Sequence, residues 1–157
     1  MTYDPRSLAP PSFYFTVALK RPGDDLLVLE IERLRQAVRV TRAERPFDIK
    51  AWVVMPDHLH TIWTLPEADC DAAGRWHRIK TRFSASLPRK SQTGVWQRRF
   101  WQHRIRDAAD LNLHMRSCQM DPVRHGLVDV PEAWPYSSFR SDAAAQFIPI
   151  AGATAHG

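Results

Sequence analysis

Hydrophobic positions along the chain recur at two spacings, and the places where one spacing gives way to the other divide it into elements. "FYFTVALKR" at 13–21 is dense in aromatic and β-branched residues and predicts a strand. A Pro22-Gly23 turn leads into "DDLLVLEIERLRQAVRVTRAE", where Leu27, Ile31, Leu34 and Val38 fall at helical spacing. Asp24 or Asp25 can cap that helix, and Pro46 ends it. "FDIKAWVVM" (47–55) and "HLHTIWTL" (58–65), joined by a tight "PD" turn, predict a β-hairpin. A second helix over 70–87 would bury Trp76, Ile79 and Phe83 and turn its arginines outward. "GVWQRRFW" (94–101) predicts a short fourth strand. Asp107 caps a third helix, "DAADLNLHMRSCQMD", broken near Pro122 and closed by Gly126. Residues 140–157 read as a loose tail. This order of elements predicts an α+β fold, an antiparallel sheet with helices mainly on one face, leaving the other face free to carry a site.

The hairpin raises the first chemical question. Residues i and i+2 of a strand share a face, so His58 and His60 stand side by side while Leu59 turns the other way. Such a pair is either two ligands offered to one ion or two polar residues on a solvated face.

Length and composition predict a single domain over 1–157, with a core of about 13–139, large enough to bury an interior. No run is apolar enough for a membrane span, and "MTYDPRSLAPPS" lacks a signal-peptide pattern, so a cytoplasmic protein is expected. Cys70 and Cys118 form no CxxC pair and read as free thiols. The net charge of +5 matters for its placement. From 75 to 106 the chain carries many Arg and Lys and not one Asp or Glu, with Trp76, Phe83, Trp96, Phe100 and Trp101 interleaved. A solvated basic face over packed aromatics would look like this. The lack of any acid favours a polyanion, with cations on phosphates and rings on unpaired bases. The candidate contacts are Arg75, Arg78, Lys80, Arg82, Arg98, Arg99 and Arg104.

Four stretches, "AWVVMPDHLHTIWTLP", "WHRIKTRFS", "GVWQRRFWQHRIRD" and "DPVRHGLV…WPYSSF", occur in an order that resembles the REP-associated tyrosine transposases, members of the HUH single-strand transposase superfamily. The resemblance runs from about Phe13 to Phe139. It implies a ferredoxin-like α/β sandwich acting on single-stranded DNA with a hairpin, as in repetitive extragenic palindromes (REP). It also implies that His58 and His60 hold a divalent cation, Mg²⁺ or Mn²⁺, at the scissile phosphate. A tyrosine from the last helix would attack, leaving a 5′-phosphotyrosine and a free 3′-hydroxyl.

Here the chain departs from that family. The family motif resembles Tyr-Ile-His-x-Asn-Pro-Val, whereas this chain reads "SCQMDPV". Anchored on Pro122-Val123, the nucleophile position is Ser117, the histidine position Gln119 and the asparagine position Asp121. A carboxylate at 121 would serve a hard cation well, so the expected metal set is His58, His60 and Asp121. A serine oxygen would fall short of a tyrosine's by roughly 4 Å on standard bond lengths. None of Tyr3, Tyr14 and Tyr136 lies in that helix. Three activities follow from the resemblance: an active strand-joining transposase, a hairpin-binding protein derived from one, or a hydrolytic metal enzyme on phosphodiesters. A monomer and a homodimer both fit the sequence. Asp57 reads as a turn residue rather than a base, and His77, His103, His114 and His125 as contacts to DNA or solvent. Cys118 points about 100° away from Ser117 on a helix and reads as a buried thiol.

Overall fold

The computed structural model describes residues 10–139, so the expected tail at 140–157 lies outside the described residues. Four antiparallel strands form one sheet: β1 (Ser12–Ala18), β2 (Asp48–Val54), β3 (His58–Thr64) and β4 (Trp101–Arg104), in the spatial order β2-β3-β1-β4. The helices are α1 (Leu26–Leu29), α2 (Ile31–Glu44), α3 (Ala72–Ser86) and α4 (Ala108–Arg124). The α+β fold and the antiparallel sheet are as the sequence predicts.

Alternation along the strands builds two cores. Phe15, Val17, Leu59 and Trp63 point to one face and pack with Leu34 and Val38 of α2 and Trp76, Ile79 and Phe83 of α3. Tyr14, Val53 and Ile62 point to the other, against Cys118 of α4 and Trp134. The second face is therefore partly covered, with α4 lying across it and opposite the other two long helices. This placement puts α4 over the side of β3 that carries His58 and His60.

Turn chemistry sets the hairpin. Met55 N–H donates to the His58 carbonyl across Pro56-Asp57, and the Asp57 carboxylate accepts from Gly23 N–H at 2.8 Å. Gly23 adopts φ of +85°, which is open to glycine at no steric cost and lets the turn after β1 meet the hairpin tip. At its start α4 is capped by Asp107, which accepts from Asp110 N–H at 2.8 Å. The helix runs through Pro122 to Arg124 rather than breaking there, and Gly126 at φ +72° follows its end.

The fourth strand is displaced from its predicted place. Residues 94–100 lean on the end of β1 through Lys20 N–H to Val95 O and Gln97 N–H to Ala18 O, but only 101–104 joins the ladder. Val95 and Trp96 are sequence neighbours that both pack against one core, which a strand's alternation forbids. The aromatic interleaving expected to stack on bases is likewise mostly packing. Trp76 and Phe83 are buried and Trp96 and Phe100 lie against the same core, leaving Trp101, 54% exposed, as the open ring.

Candidate functional site

Strand register brings the polar residues of the second face together. Thr16 lies opposite His60 across β1 and β3, and Tyr14 is one pair along on the same face. His60 Nδ1 is held by both hydroxyls, Tyr14 Oη and Thr16 Oγ1, each at 2.9 Å. His58 Nδ1 sits 2.7 Å from Asp57 Oδ1. With both Nδ1 atoms occupied, the two Nε2 atoms are left to face outward from the strand. Both converge on Asp121 Oδ2, His58 at 3.1 Å and His60 at 3.0 Å. Ligand atoms of His58, His60 and Asp121 lie within 4.8 Å of one another. The three residues expected to act together are together.

The electrostatics are those of a buried acid among imidazoles. Burial alone would raise the Asp121 pKa, but hydrogen bonds and charge from His58 and His60 outweigh it and hold the carboxyl well below the usual carboxylate range. His58 shows the converse balance. Desolvation lowers its pKa, and the Asp121 and Asp57 carboxylates more than reverse this, leaving it raised. Asp57 is depressed: burial opposes ionisation, while Gly23 N–H and His58 favour it. Asp57 is thus more than the turn residue expected, because one oxygen ties the loop and the other orients an imidazole. Its place directly before His58 was the available signal.

Ser117 and Asp121 lie one helical turn apart on α4. Arg124 Nη2 reaches across them, to the Ser117 carbonyl at 2.7 Å, to Ser117 Oγ at 3.3 Å and to Asp121 Oδ1 at 3.3 Å. His125 Nε2 is 3.3 Å from the same Asp121 oxygen. The Tyr14 hydroxyl nearby has its pKa pushed up to about 12, chiefly by burial. Arg124 went unnoticed in sequence and His125 was read only as a contact to DNA or solvent, although the pairing of both with Asp121 follows from helical spacing. Cys118 is fully buried, and burial raises its thiol pKa further from reactivity.

The basic candidates separate into groups. Arg75 is a correction: it is 0% exposed and cannot meet a phosphate. Its guanidinium donates to the carbonyls of Arg45, Pro46, Asp69 and Asp71 and to the Asp69 carboxylate. The warning lay in its spacing, since positions 75, 79 and 83 share the helix face that buries Ile79 and Phe83. Arg78 and Arg82 both pair with Glu44, tying α3 to α2 on the sheet face opposite the histidines. Lys80 donates to Gln97 O on that side, and desolvation lowers its pKa. Arg98, Arg99 and Arg104 are exposed, with no acidic partner among the described residues.

No protein-family model matches the chain. It is 41% identical to the REP-associated tyrosine transposase of Escherichia coli over 88% of this chain and 82% of that protein. The chain belongs to the REP-associated tyrosine transposase family. A second REP-associated relative, a putative tyrosine transposase of Haemophilus influenzae, is 37% identical over 87% of this chain and 84% of its own length. Among solved structures, a REP-associated tyrosine transposase bound to a REP hairpin superimposes with a TM-score of 0.79 at 38% identity, covering 96% of this chain and 90% of that one. A putative transposase from Deinococcus radiodurans shares the fold alone, at 14% identity and a TM-score of 0.53, over 74% of this chain and 95% of its own. REP-associated transposases thus supply the fold and a DNA-acting relative. At position 117 this chain carries serine.

Proposed function

We propose that the chain binds single-stranded DNA bearing a REP-like hairpin, with a divalent cation held by His58, His60 and Asp121, and forms no covalent bond to the strand. Residues 13–139 act as one unit in this reading. Two imidazole nitrogens and a carboxylate suit a divalent cation, and the Nδ1 contacts of both histidines leave the Nε2 atoms aimed at the third donor. Bound there, Mg²⁺ or Mn²⁺ supplies charge neutralisation at a phosphate. The rest is the work of the chain's own groups. His58 and His60 are held in one orientation by Asp57, Tyr14 and Thr16, so little ordering is required when the strand arrives. Arg124 stands beside Asp121 and half exposed, placed to pair with a phosphate oxygen. Arg98, Arg99 and Arg104 are further phosphate contacts, and exposed Trp101 offers a ring to an unpaired base.

The single observation that carries the loss of covalent chemistry is serine at 117. Its oxygen accepts from Arg124 at 3.3 Å, and among the described residues no base is hydrogen-bonded to it. Tyr14 does not stand in. Its hydroxyl is hydrogen-bonded to His60 Nδ1, the side of the ring turned away from Asp121, and its raised pKa disfavours a phenolate. Tyr136 packs between Trp134 and the two cores.

A labelled hairpin oligonucleotide with an unpaired flank, incubated with Mn²⁺, tests this. Retention in a native gel without a covalent band is expected; a denaturation-resistant adduct or free cleavage product would overturn it. With about four phosphate contacts, raising salt from about 50 to about 200 mM should weaken binding roughly 50-fold. A salt-independent affinity would remove the basic surface from the interface. Asp57→Ala, which frees His58 to rotate, should lower Mn²⁺ affinity by about 10- to 100-fold in a calorimetric titration while leaving the fold intact. An unchanged affinity would show that the Asp57 contact does not orient a ligand.

A further inference from the structure

A second group of histidines and an acid lies beyond the first, between the edge strand and the start of α4. His103 on β4 and Asp110 and His114 on α4 bring donor atoms within 4.8 Å of one another. His103 Nε2 is 2.8 Å from Asp110 Oδ2, and His114 Nδ1 is 3.2 Å from Asp110 Oδ1. The two imidazole rings are stacked at 4.5 Å, each with a nitrogen near a different oxygen of a buried carboxylate. We propose that His103, Asp110 and His114 form a second metal site, one for a borderline divalent cation such as Zn²⁺.

The donor set decides the class of ion. Two nitrogens and one carboxylate oxygen match a three-ligand zinc-type site, as the same donors at the first cluster also would, and imidazole suits a borderline ion. The rival account is a hydrogen-bonded helix cap. Asp110 also accepts from Arg106 N–H at 2.9 Å and lies 3.5 Å from Arg106 Nε, and His114 Nδ1 is 2.8 Å from the Asp110 carbonyl. The cap accounts for the acid; a cation site accounts as well for two imidazole rings stacked on each other against the two oxygens of one carboxylate.

Position in the fold gives the site its purpose. β4 is four residues long and pairs only with β1, the weakest attachment in the sheet. A cation bridging His103 to Asp110 and His114 would pin that edge to the helix that carries positions 117 and 121. The Tyr14 ring touches His114 at 4.8 Å and His60 at 5.5 Å, so the two clusters share one neighbour. The second site would thereby hold the phenol that orients His60.

The test uses the full chain stripped of metal, with the first cluster disabled as His58→Ala/His60→Ala so that binding at either cluster is told apart. Titrated with Co²⁺, this double variant should develop visible d–d bands that saturate at about one equivalent, as a three-ligand site with an open position does. Zn²⁺ should displace the Co²⁺ and raise the melting temperature. Adding His114→Gln should abolish the bands and the thermal shift together. A featureless Co²⁺ spectrum from the folded double variant overturns the proposal, as do bands that survive His114→Gln.

Discussion

Ser117→Tyr is expected to turn a chain that holds hairpin DNA reversibly into one that leaves a covalent protein–DNA band after denaturation. Position 117 lies one turn before Asp121, on the side of α4 that meets Tyr14 and the histidine cluster. A phenol oxygen extends roughly 4 Å beyond a serine oxygen on standard bond lengths, and its pKa near 10 makes it far more acidic than an alcohol. The reaction balances without a further reagent. The tyrosine oxygen bonds to phosphorus as the bond from phosphorus to the 3′ oxygen breaks; the phenolic proton is surrendered and the released 3′ oxygen takes one up. Restoring a missing nucleophile is worth at least about 10⁴-fold in rate, by analogy with what nucleophile deletion removes elsewhere. Ser117→Phe supplies the ring without the oxygen and should give no adduct. A folded, metal-binding, hairpin-binding Ser117→Tyr protein that still forms none would place the defect elsewhere in the site.

Arg75→Met should cost about 3–5 kcal/mol of stability, the range for breaking a buried charged network. The side chain is fully buried, and its guanidinium serves four carbonyls from the end of α2 and the approach to α3 together with the Asp69 carboxylate. Methionine fills much of the volume but offers no donor, so those carbonyls lose their partners in a site closed to water. Against a total of about 5–15 kcal/mol for a domain, the loss is a large fraction. Denaturant melts should show it directly, with hairpin affinity per folded molecule unchanged. Arg99→Ala is the opposite case, with an unaltered melt and weaker, less salt-sensitive binding. If Arg75→Met weakened DNA binding without destabilising the fold, its assignment as a structural residue would be wrong.

The contrast between Arg75 and Arg99 shows where sequence reading reaches its limit. Both belong to one acid-free basic run, and composition treats them alike. Their fates differ because a helix turns about 100° per residue, so the position four before Ile79 faces inward whatever its charge. Asp69, the ion partner, lies before α3, and the carbonyls come from 45, 46, 69 and 71, distances along the chain that periodicity does not carry. The aromatic residues tell the same story. Alternation predicted a strand at 94–101, yet Val95 and Trp96 both went to the core and the ladder formed at 101–104. Short strands are set by pairing partners more than by their own residues.

Taken alone, the sequence determined the elements with strong periods, the placing of His58 and His60 on one strand face, and the spacing that sets Ser117 and Asp121 on one helix face. These are local consequences of backbone geometry, so a few residues suffice to state them. Only the tertiary structure decided that α4 crosses the histidine-bearing face, that Asp57, Tyr14 and Thr16 lock the imidazoles, and that a second cluster joins β4 to α4. Tyr14 and Thr16 lie 46 and 44 positions from His60, and Asp121 lies 63 positions from His58. Whether such contacts form depends on strand order and helix side, which packing of the whole core selects and no local pattern encodes.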